Sequence, residues 1–219
     1  MSTAIEATGF VMCLIGWLVT GASLANDYWK ISSVYGSVLT SYREFQNLWH
    51  SCAENSASIA ECRDFESMLG LPGYIQGCRG LMIVSLLLGL CSMIVSLGGM
   101  KFIKIGSATD QSKAKIAVGG GVLSILAGLC CITAVSWYAF RVVQEFHDPY
   151  YGGEKYEFGT GLFLGWGGGS LSFLGGGFLC CACSRVSSGG KKGAYYGNPP
   201  QKVYTATAKS DPDAPRAYV

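Results

Sequence analysis

The sequence predicts an α-helical membrane protein, built as a bundle of four transmembrane helices with a small antiparallel β-sheet on its extracellular side. Half of the 219 residues are hydrophobic and only 14% are charged, a composition typical of membrane proteins. Four apolar segments without a charged residue are long enough to cross about 30 Å of hydrocarbon. They lie at about 7–25, 80–100, 116–138 and 159–183. Between the first two, Cys52 and Cys62 indicate an exported loop closed by a disulfide.

The first span is predicted to be a retained helix. Ser23 and Ala25 have the spacing of a signal-peptidase site, which is the alternative interpretation. However, the residues before the span include Glu6 and no Lys or Arg, whereas a signal peptide begins with a basic region.

The distribution of Lys and Arg predicts the orientation. The connector 101–115 and the tail 184–219 are both rich in basic residues, which is the pattern of cytoplasmic segments. Four spans then place both termini in the cytoplasm. The loops 26–79 and 139–157 are predicted to be extracellular, in agreement with the disulfide.

Loop 26–79 has the composition of a small sheet. Tyr28–Val34 and Ser37–Thr40 are rich in aromatic and β-branched residues that alternate with polar ones, and Gly36 is placed to make the turn between them. A sheet of this size buries little apolar surface. A disulfide closing about ten residues should therefore matter, contributing on the order of 3 kcal/mol.

The eight other cysteines are interpreted by position. Cys13, Cys91, Cys130 and Cys131 lie within spans, where small buried thiols serve helix packing, whereas Cys78 is at a span boundary and is ambiguous. A cluster at the cytoplasmic end of the last span could be S-palmitoylated or could simply pack. Its members are Cys180, Cys181 and Cys183.

Glycine in the last span indicates tight helix packing. Gly161, Gly165 and Gly169 follow the spacing at which small residues let helices approach closely in lipid. This favours a compact bundle, with the close contacts lying either within one chain or between chains.

No enzymatic motif is present. The two histidines, His50 and His147, lie on different loops without a second ligand at metal spacing, and they are interpreted as polar surface residues. Gly167–Gly169 lies inside a span and cannot hold a phosphate. We therefore expect no enzyme activity, no metal, no cofactor and no nucleic-acid partner. Membrane lipid is an expected partner, because the four spans lie in the bilayer.

The loop residues resemble the claudin family. Trp29, then Leu48-Trp49-x-x-Cys52, Cys62 and Arg79 match its Trp…Leu-Trp-x-x-Cys…Cys signature, and similar segments extend over the whole chain. Asn47 departs from the Gly that most members have, a substitution shared by some of the channel-forming subgroup. Tetraspanins and connexins fit worse. The wider myelin-protein superfamily shares the pattern and remains the alternative, as a membrane-organising protein.

The resemblance implies a tight-junction protein of the plasma membrane that assembles with itself and with other claudins, within one membrane and across to the next. It also implies a fifth strand from loop 139–157 and a sheet that lines a paracellular pore or seal. Phe146 and His147 would contact neighbouring copies in the tight-junction strand. The apolar tip with Met68 and Leu69 is a contact surface on this view, since an apolar patch marks an interface, or it packs against its own helices.

The tail 184–219 has the composition of a disordered segment. Its last residues, Tyr218 and Val219, suit capture of the terminal carboxylate by a PDZ domain. In the family context, PDZ scaffold proteins of the tight junction are therefore expected partners.

Charge predicts a modest preference for small cations such as Na⁺. Acidic residues outnumber basic ones by two in each extracellular loop, and a carboxylate about 4 Å from an ion contributes roughly 1 kcal/mol even in water. Resemblance to pore-forming claudins points to Asp64 as the main contributor, then Glu54, with Glu61 beside them. A non-conducting adhesive barrier is the alternative.

Overall fold

The computed structural model describes residues 2–32, 42–55, 57, 59–65, 70–99, 110–148 and 155–193. These form four helices and five strands, which confirms the predicted bundle with a small antiparallel sheet. The helices are α1 (Ser2–Ala25), α2 (Gly73–Gly99), α3 (Asp110–His147) and α4 (Thr160–Gly193). The strands are β1 (Lys30–Ser32), β2 (Tyr42–Gln46), β3 (His50–Asn55), β4 (Ala60–Asp64) and β5 (Tyr156–Phe158).

Each helix contains a segment long and apolar enough to cross a membrane. All four helices extend beyond the predicted spans: α1 begins at Ser2 instead of 7, α2 begins at Gly73 instead of 80, α3 continues to His147 instead of 138, and α4 continues to Gly193 instead of 183. Half of the predicted loop 139–157 is therefore helical. The difference arises because hydropathy detects the part of a helix that lies in hydrocarbon, whereas backbone hydrogen bonds continue into the polar region.

Backbones in the bundle approach closely where glycines meet. A Cβ added at Gly168 on α4 would lie 2.7 Å from the backbone nitrogen of Thr20 on α1 and 2.9 Å from the carbonyl oxygen of Gly16. At Gly128 on α3, an added Cβ would lie 2.6 Å from the carbonyl oxygen of Gly169. Glycine is thus required for these helix distances.

The predicted glycine stripe of α4 packs within the chain. A Cβ at Gly161 would meet the Trp29 ring at 2.7 Å, one at Gly165 would meet Val135, and one at Gly169 would meet Ile132 at 2.8 Å. The sequence left open whether the stripe packs within or between chains, and these contacts show that it packs against α3 and against Trp29 in the connection between α1 and β1.

Buried hydroxyl groups join the helices beside these glycines. The hydroxyl of Ser23 donates to the carbonyl of Gly161 (2.7 Å), that of Ser85 to Ala127 (2.8 Å) and that of Ser124 to Ser172 (2.9 Å). In an apolar environment, a backbone carbonyl offers the partner that such a hydroxyl requires.

The five strands form one antiparallel sheet in the order β4-β3-β2-β1-β5. The fifth strand comes from the end of the predicted second loop, as the family resemblance implied, and Ile31 of β1 pairs with Glu157 of β5. The first predicted strand is observed as β1. The predicted strand Ser37–Thr40 and the turn at Gly36 lie outside the described residues.

The main apolar core lies where the sheet meets the bundle. Trp29 is fully buried, its indole nitrogen donates to the carbonyl of Ser23 (2.8 Å), and its ring meets Tyr138 edge-on at 5.2 Å. Leu48 from the sheet and Leu162 from α4 are buried in the same cluster. This core fixes the sheet on one end of the bundle.

The cysteines within the helices divide into buried and exposed groups. Cys13, Cys78 and Cys131 are buried between helices, and Cys130 is partly buried. Cys91 is exposed on the outer surface of the bundle, so its interpretation as a packing residue was wrong. Hydropathy alone could not show which face of α2 points outward, because all its faces are apolar.

Candidate functional site

The turn between β2 and β3 is built by Asn47. Its side-chain oxygen accepts hydrogen bonds from the backbone nitrogens of Trp49 (2.7 Å) and His50 (2.8 Å), the local pattern for which asparagine is favoured in turns. Its amide nitrogen donates to a carboxylate oxygen of Asp27 (3.1 Å). The residue that departs from the family signature therefore ties the turn to the end of α1.

The signature residues hold this turn against the bundle. Leu48 is fully buried, and its carbonyl accepts a hydrogen bond from Nε of Arg79 at the start of α2. The Arg79 guanidinium lies over the rings of Trp49 (5.0 Å) and Phe65 (5.7 Å). Such cation–π contacts stabilise a partly buried guanidinium. These residues therefore position the sheet.

Cys52 and Cys62 form the predicted disulfide. They are paired directly across β3 and β4, with their Cα atoms 4.0 Å apart. His50 lies close enough to both sulfur atoms for metal-ligand spacing. However, the sulfurs are bonded to each other and offer no thiolate to a metal.

The strand register divides the three predicted selectivity residues between the two faces of the sheet. Across β3 and β4, His50 pairs with Asp64, Cys52 with Cys62, and Ala53 with Glu61. Because successive side chains alternate between faces, Asp64 lies on the face of Cys52, and so does Glu54. Glu61 lies on the opposite face. The sequence placed the three acids close together along the chain and did not resolve this division.

Each of these acids has a basic neighbour on its own face. Arg43 of β2 is directly opposite Glu54, and Arg63 lies two residues from Glu61 along β4. Asp64 is directly opposite His50. Opposite charges across a strand pair attract, so the arginines reduce the field of Glu54 and Glu61. Asp64, on an exposed strand, has only a histidine at the corresponding position.

A second polar cluster joins the sheet to the protruding end of α3. Lys30 Nζ lies 3.9 Å from a carboxylate oxygen of Glu145 and 4.2 Å from the centre of the Tyr156 ring. The Tyr156 hydroxyl donates to Glu44 (2.8 Å). Burial lowers the pKa of Lys30 from its ordinary value, while Glu145 and Glu44 act in the opposite direction. The sequence does not indicate this cluster, because Glu44 and Tyr156 are 112 residues apart in the chain.

The predicted contact residues Phe146 and His147 lie in the last turn of α3. Together with Val142 and Val143 they form one wall of an open, mostly apolar groove of about 340 Å³, and β5 forms the other wall. His147 is exposed, and its ring nitrogen lies 3.0 Å from the carbonyl of Val143. Met68 and Leu69 lie outside the described residues.

The remaining predicted sites lie near or beyond the end of α4. Cys180 is partly buried and Cys181 is exposed; the side chain of Cys183 lies outside the described part of the chain. Tyr218 and Val219 are outside it as well.

Comparison with known proteins identifies relatives over nearly the whole chain. The model of the PMP-22/EMP/MP20/Claudin family matches residues 3–179. Claudin-15 of Rattus norvegicus is 42% identical over 214 residues, covering 96% of this chain and 93% of the relative. Claudin-10 of Mus musculus is 44% identical over 94% of this chain and 89% of the relative. Claudin-19 of Homo sapiens is 43% identical over 83% and 82%, respectively.

Proposed function

Because the chain belongs to the PMP-22/EMP/MP20/Claudin family, we propose that it is a tight-junction protein that forms a paracellular ion pore or barrier between epithelial cells. It is not an enzyme on this proposal. Copies of the chain and other claudins assemble within one plasma membrane and across to the apposed one. The sheet faces the extracellular space, and both termini lie in the cytoplasm.

We further propose that the pore favours small cations, with Asp64 contributing most. The observation that carries this is the position of Asp64: an exposed carboxylate on the edge strand β4, opposite a histidine instead of an arginine. A carboxylate about 4 Å from a passing ion contributes roughly 1 kcal/mol in water and more where the medium is less polar. Glu54 contributes less because Arg43 is opposite it.

Dilution potentials across monolayers that express the chain test this proposal. The wild type should favour sodium over chloride, and Asp64→Asn should reduce the permeability ratio by about threefold, from loss of a charge worth under 1 kcal/mol. Glu61→Gln is the matched control, because Glu61 lies on the opposite face of the sheet beside Arg63. A chloride preference in the wild type would reject the cation pore, and unchanged resistance and conductance would favour the adhesive barrier instead.

The tail is proposed to bind PDZ scaffold proteins through Tyr218 and Val219, because a PDZ groove holds a terminal carboxylate with backbone amides. Removing Val219 should abolish capture by a PDZ scaffold in pull-down experiments while self-assembly continues. Binding that persists without Val219 would contradict this role.

A further inference from the structure

A row of exposed side chains follows the end of α3 that meets the sheet. Its members are Trp137, Phe140, Arg141 and Gln144, all of them exposed. Their spacing of three and four residues places them on one side of the helix. The row begins with aromatic side chains and ends with polar ones, which is the order expected where a helix passes from hydrocarbon into the headgroup region of a membrane.

Two tryptophans mark the level of the membrane interface on this side of the bundle. The indole nitrogen of Trp166 on α4 donates to the hydroxyl of Ser136 (3.1 Å), the residue before Trp137. Tryptophan is enriched at the boundary between hydrocarbon and headgroups. Arg141 lies four residues farther along α3 than Trp137, which is about 6 Å at 1.5 Å per residue. The Arg141 side chain therefore begins at the level of the lipid headgroups.

Contacts with α2 hold the two ends of this row in place. A Cβ added at Gly77 would lie 2.8 Å from the Trp137 ring, so the ring lies directly against the backbone of α2. About one turn earlier on α2, the centre of the Tyr74 ring lies 5.6 Å from the guanidinium carbon of Arg141. A cation over an aromatic face is stabilised by the ring. The Arg141 guanidinium is therefore oriented before any ligand arrives.

The charge of Arg141 has no carboxylate partner within the part of the chain that the structure describes. Neither of the ion pairs found there includes this residue. A guanidinium has five N–H donors, and one of them meets the side-chain oxygen of Gln144 at 3.4 Å. Phosphate matches the planar geometry of a guanidinium through two parallel hydrogen bonds. At the headgroup level of a membrane, the phosphate of a phospholipid is the anion within reach.

An open polar hollow of about 560 Å³ continues from Arg141 away from the hydrocarbon. The described residues that line it are Arg141, Gln144, Glu145, His147 and Asp148. Its two carboxylates follow Arg141 by about one and two helical turns. A zwitterionic headgroup such as phosphocholine has its charges in the complementary order, with phosphate next to the glycerol and the ammonium group farther out. An anionic headgroup has no positive charge for these carboxylates.

We propose that the outer side of α2 and α3 at this level is a binding site for a zwitterionic phospholipid. Arg141 holds the phosphate, the ammonium group lies in the hollow near Glu145 and Asp148, and an acyl chain lies along Trp137. With the orientation proposed above, this lipid belongs to the extracellular leaflet. The site does not depend on the proposed pore or on its ion selectivity.

Native mass spectrometry of the full chain in detergent, titrated with dioleoylphosphatidylcholine, tests this site. Arg141→Gln should bind the lipid about fivefold more weakly than the wild type, the upper end of what an exposed ion pair contributes. Arg63→Gln is the matched control and should bind as the wild type does. Arg63 is also exposed, but it lies on β4, at the edge of the sheet opposite β5.

Two other lipids with the same acyl chains separate the parts of the site. Dioleoylphosphatidylglycerol should bind the wild type about threefold more weakly than the choline lipid, because its headgroup has no positive charge for the carboxylates of the hollow. Dioleoylglycerol has no phosphate, so it should bind the wild type and Arg141→Gln equally. Trp137→Ala keeps the guanidinium and removes the surface for the acyl chain, so it should weaken the binding of all three lipids.

Equal affinities of the wild type and Arg141→Gln for the choline lipid would overturn the site. Tighter binding of the glycerol phospholipid than of the choline lipid would also overturn it, as would unchanged binding in Trp137→Ala. Size-exclusion chromatography in detergent, carried out on the same samples, detects the other occupant of this surface. If Arg141→Gln altered the fraction of dimer and left lipid affinity unchanged, the surface would be an interface between two copies of the chain and the lipid site would be rejected.

Discussion

The bundle and the sheet are stabilised by different means. In the bundle, glycines bring backbones together and buried hydroxyls bond to the carbonyls of neighbouring helices, as at Gly168 and Ser124. In the sheet, one disulfide joins β3 to β4, and every residue of β4 is exposed. Substitutions in the bundle are therefore limited by side-chain volume. On the exposed strand β4, charge can vary while the fold is maintained, which suits the proposed role in ion selection.

Removing Trp29 should have the largest effect, because its buried side chain packs between the sheet and the bundle. Trp29→Ala should destabilise the protein by about 3–5 kcal/mol, the usual range for deleting a large buried aromatic side chain. Thermal unfolding in detergent, followed by size-exclusion chromatography, measures this loss. Trp137→Ala is the control, because Trp137 is 41% exposed on the bundle surface. Equal losses of stability in the two variants would contradict the proposal that Trp29 holds the sheet on the bundle.

Removing the disulfide should destabilise the sheet alone. The double variant Cys52→Ser, Cys62→Ser should lose about 3 kcal/mol, since the bond closes a short interval between strands. Limited proteolysis should then cleave within residues 42–65 while the helices stay resistant. Cys91→Ser, which changes an exposed thiol of α2, should leave the pattern of fragments unchanged. Cleavage within the helices as well would show that the two regions are not separable.

A methyl group at a glycine contact should destabilise the bundle alone. Gly168→Ala should cost about 1–3 kcal/mol, the range for overpacking, because its new atom meets backbone that cannot rotate away. Its neighbour provides the control: a Cβ at Gly167 meets nothing within 4 Å, so Gly167→Ala should be nearly neutral. The thermal midpoint of the two variants in detergent compares them, and similar midpoints would indicate that the helices can separate freely.

The smallest effect concerns Lys30, where sheet and bundle meet. Burial lowers its pKa in the folded state, so the unfolded chain holds this proton to higher pH. Stability contributed by this group should therefore rise as the pH increases from the folded pKa towards 10.5, and be constant below that window. The thermal midpoint, measured between pH 8 and 10.5, should show a rise in the wild type that is smaller in Lys30→Met. A rise of equal size in the wild type and in Lys30→Met would show that other groups cause the pH dependence.

The sequence predicted what depends on local composition. Charge-free segments located all four helices, and two cysteines ten residues apart indicated the disulfide. The split of Glu54, Glu61 and Asp64 between two faces could not be predicted, because a one-residue change in register moves every side chain to the other face. The pairing of β1 with β5 joins residues more than a hundred positions apart. Only the family resemblance indicated that the second loop contributes a strand, and it did not indicate the partner of that strand.

The length of α3 has a mechanical consequence. Its 38 residues span about 57 Å at 1.5 Å per residue, whereas the hydrocarbon of a bilayer is about 30 Å thick. The helix therefore sets the distance between the lipid and the sheet. Near the end of the helix that meets the sheet, Glu145 contacts Lys30 of β1. The part of α3 that extends beyond the hydrocarbon on the side of the sheet sets the height of the sheet above the lipid. In a membrane thickened by sterols, the sheet should lie lower over the headgroups. If the chain assembles across two membranes as proposed, lipid composition would then change the distance between the two cells.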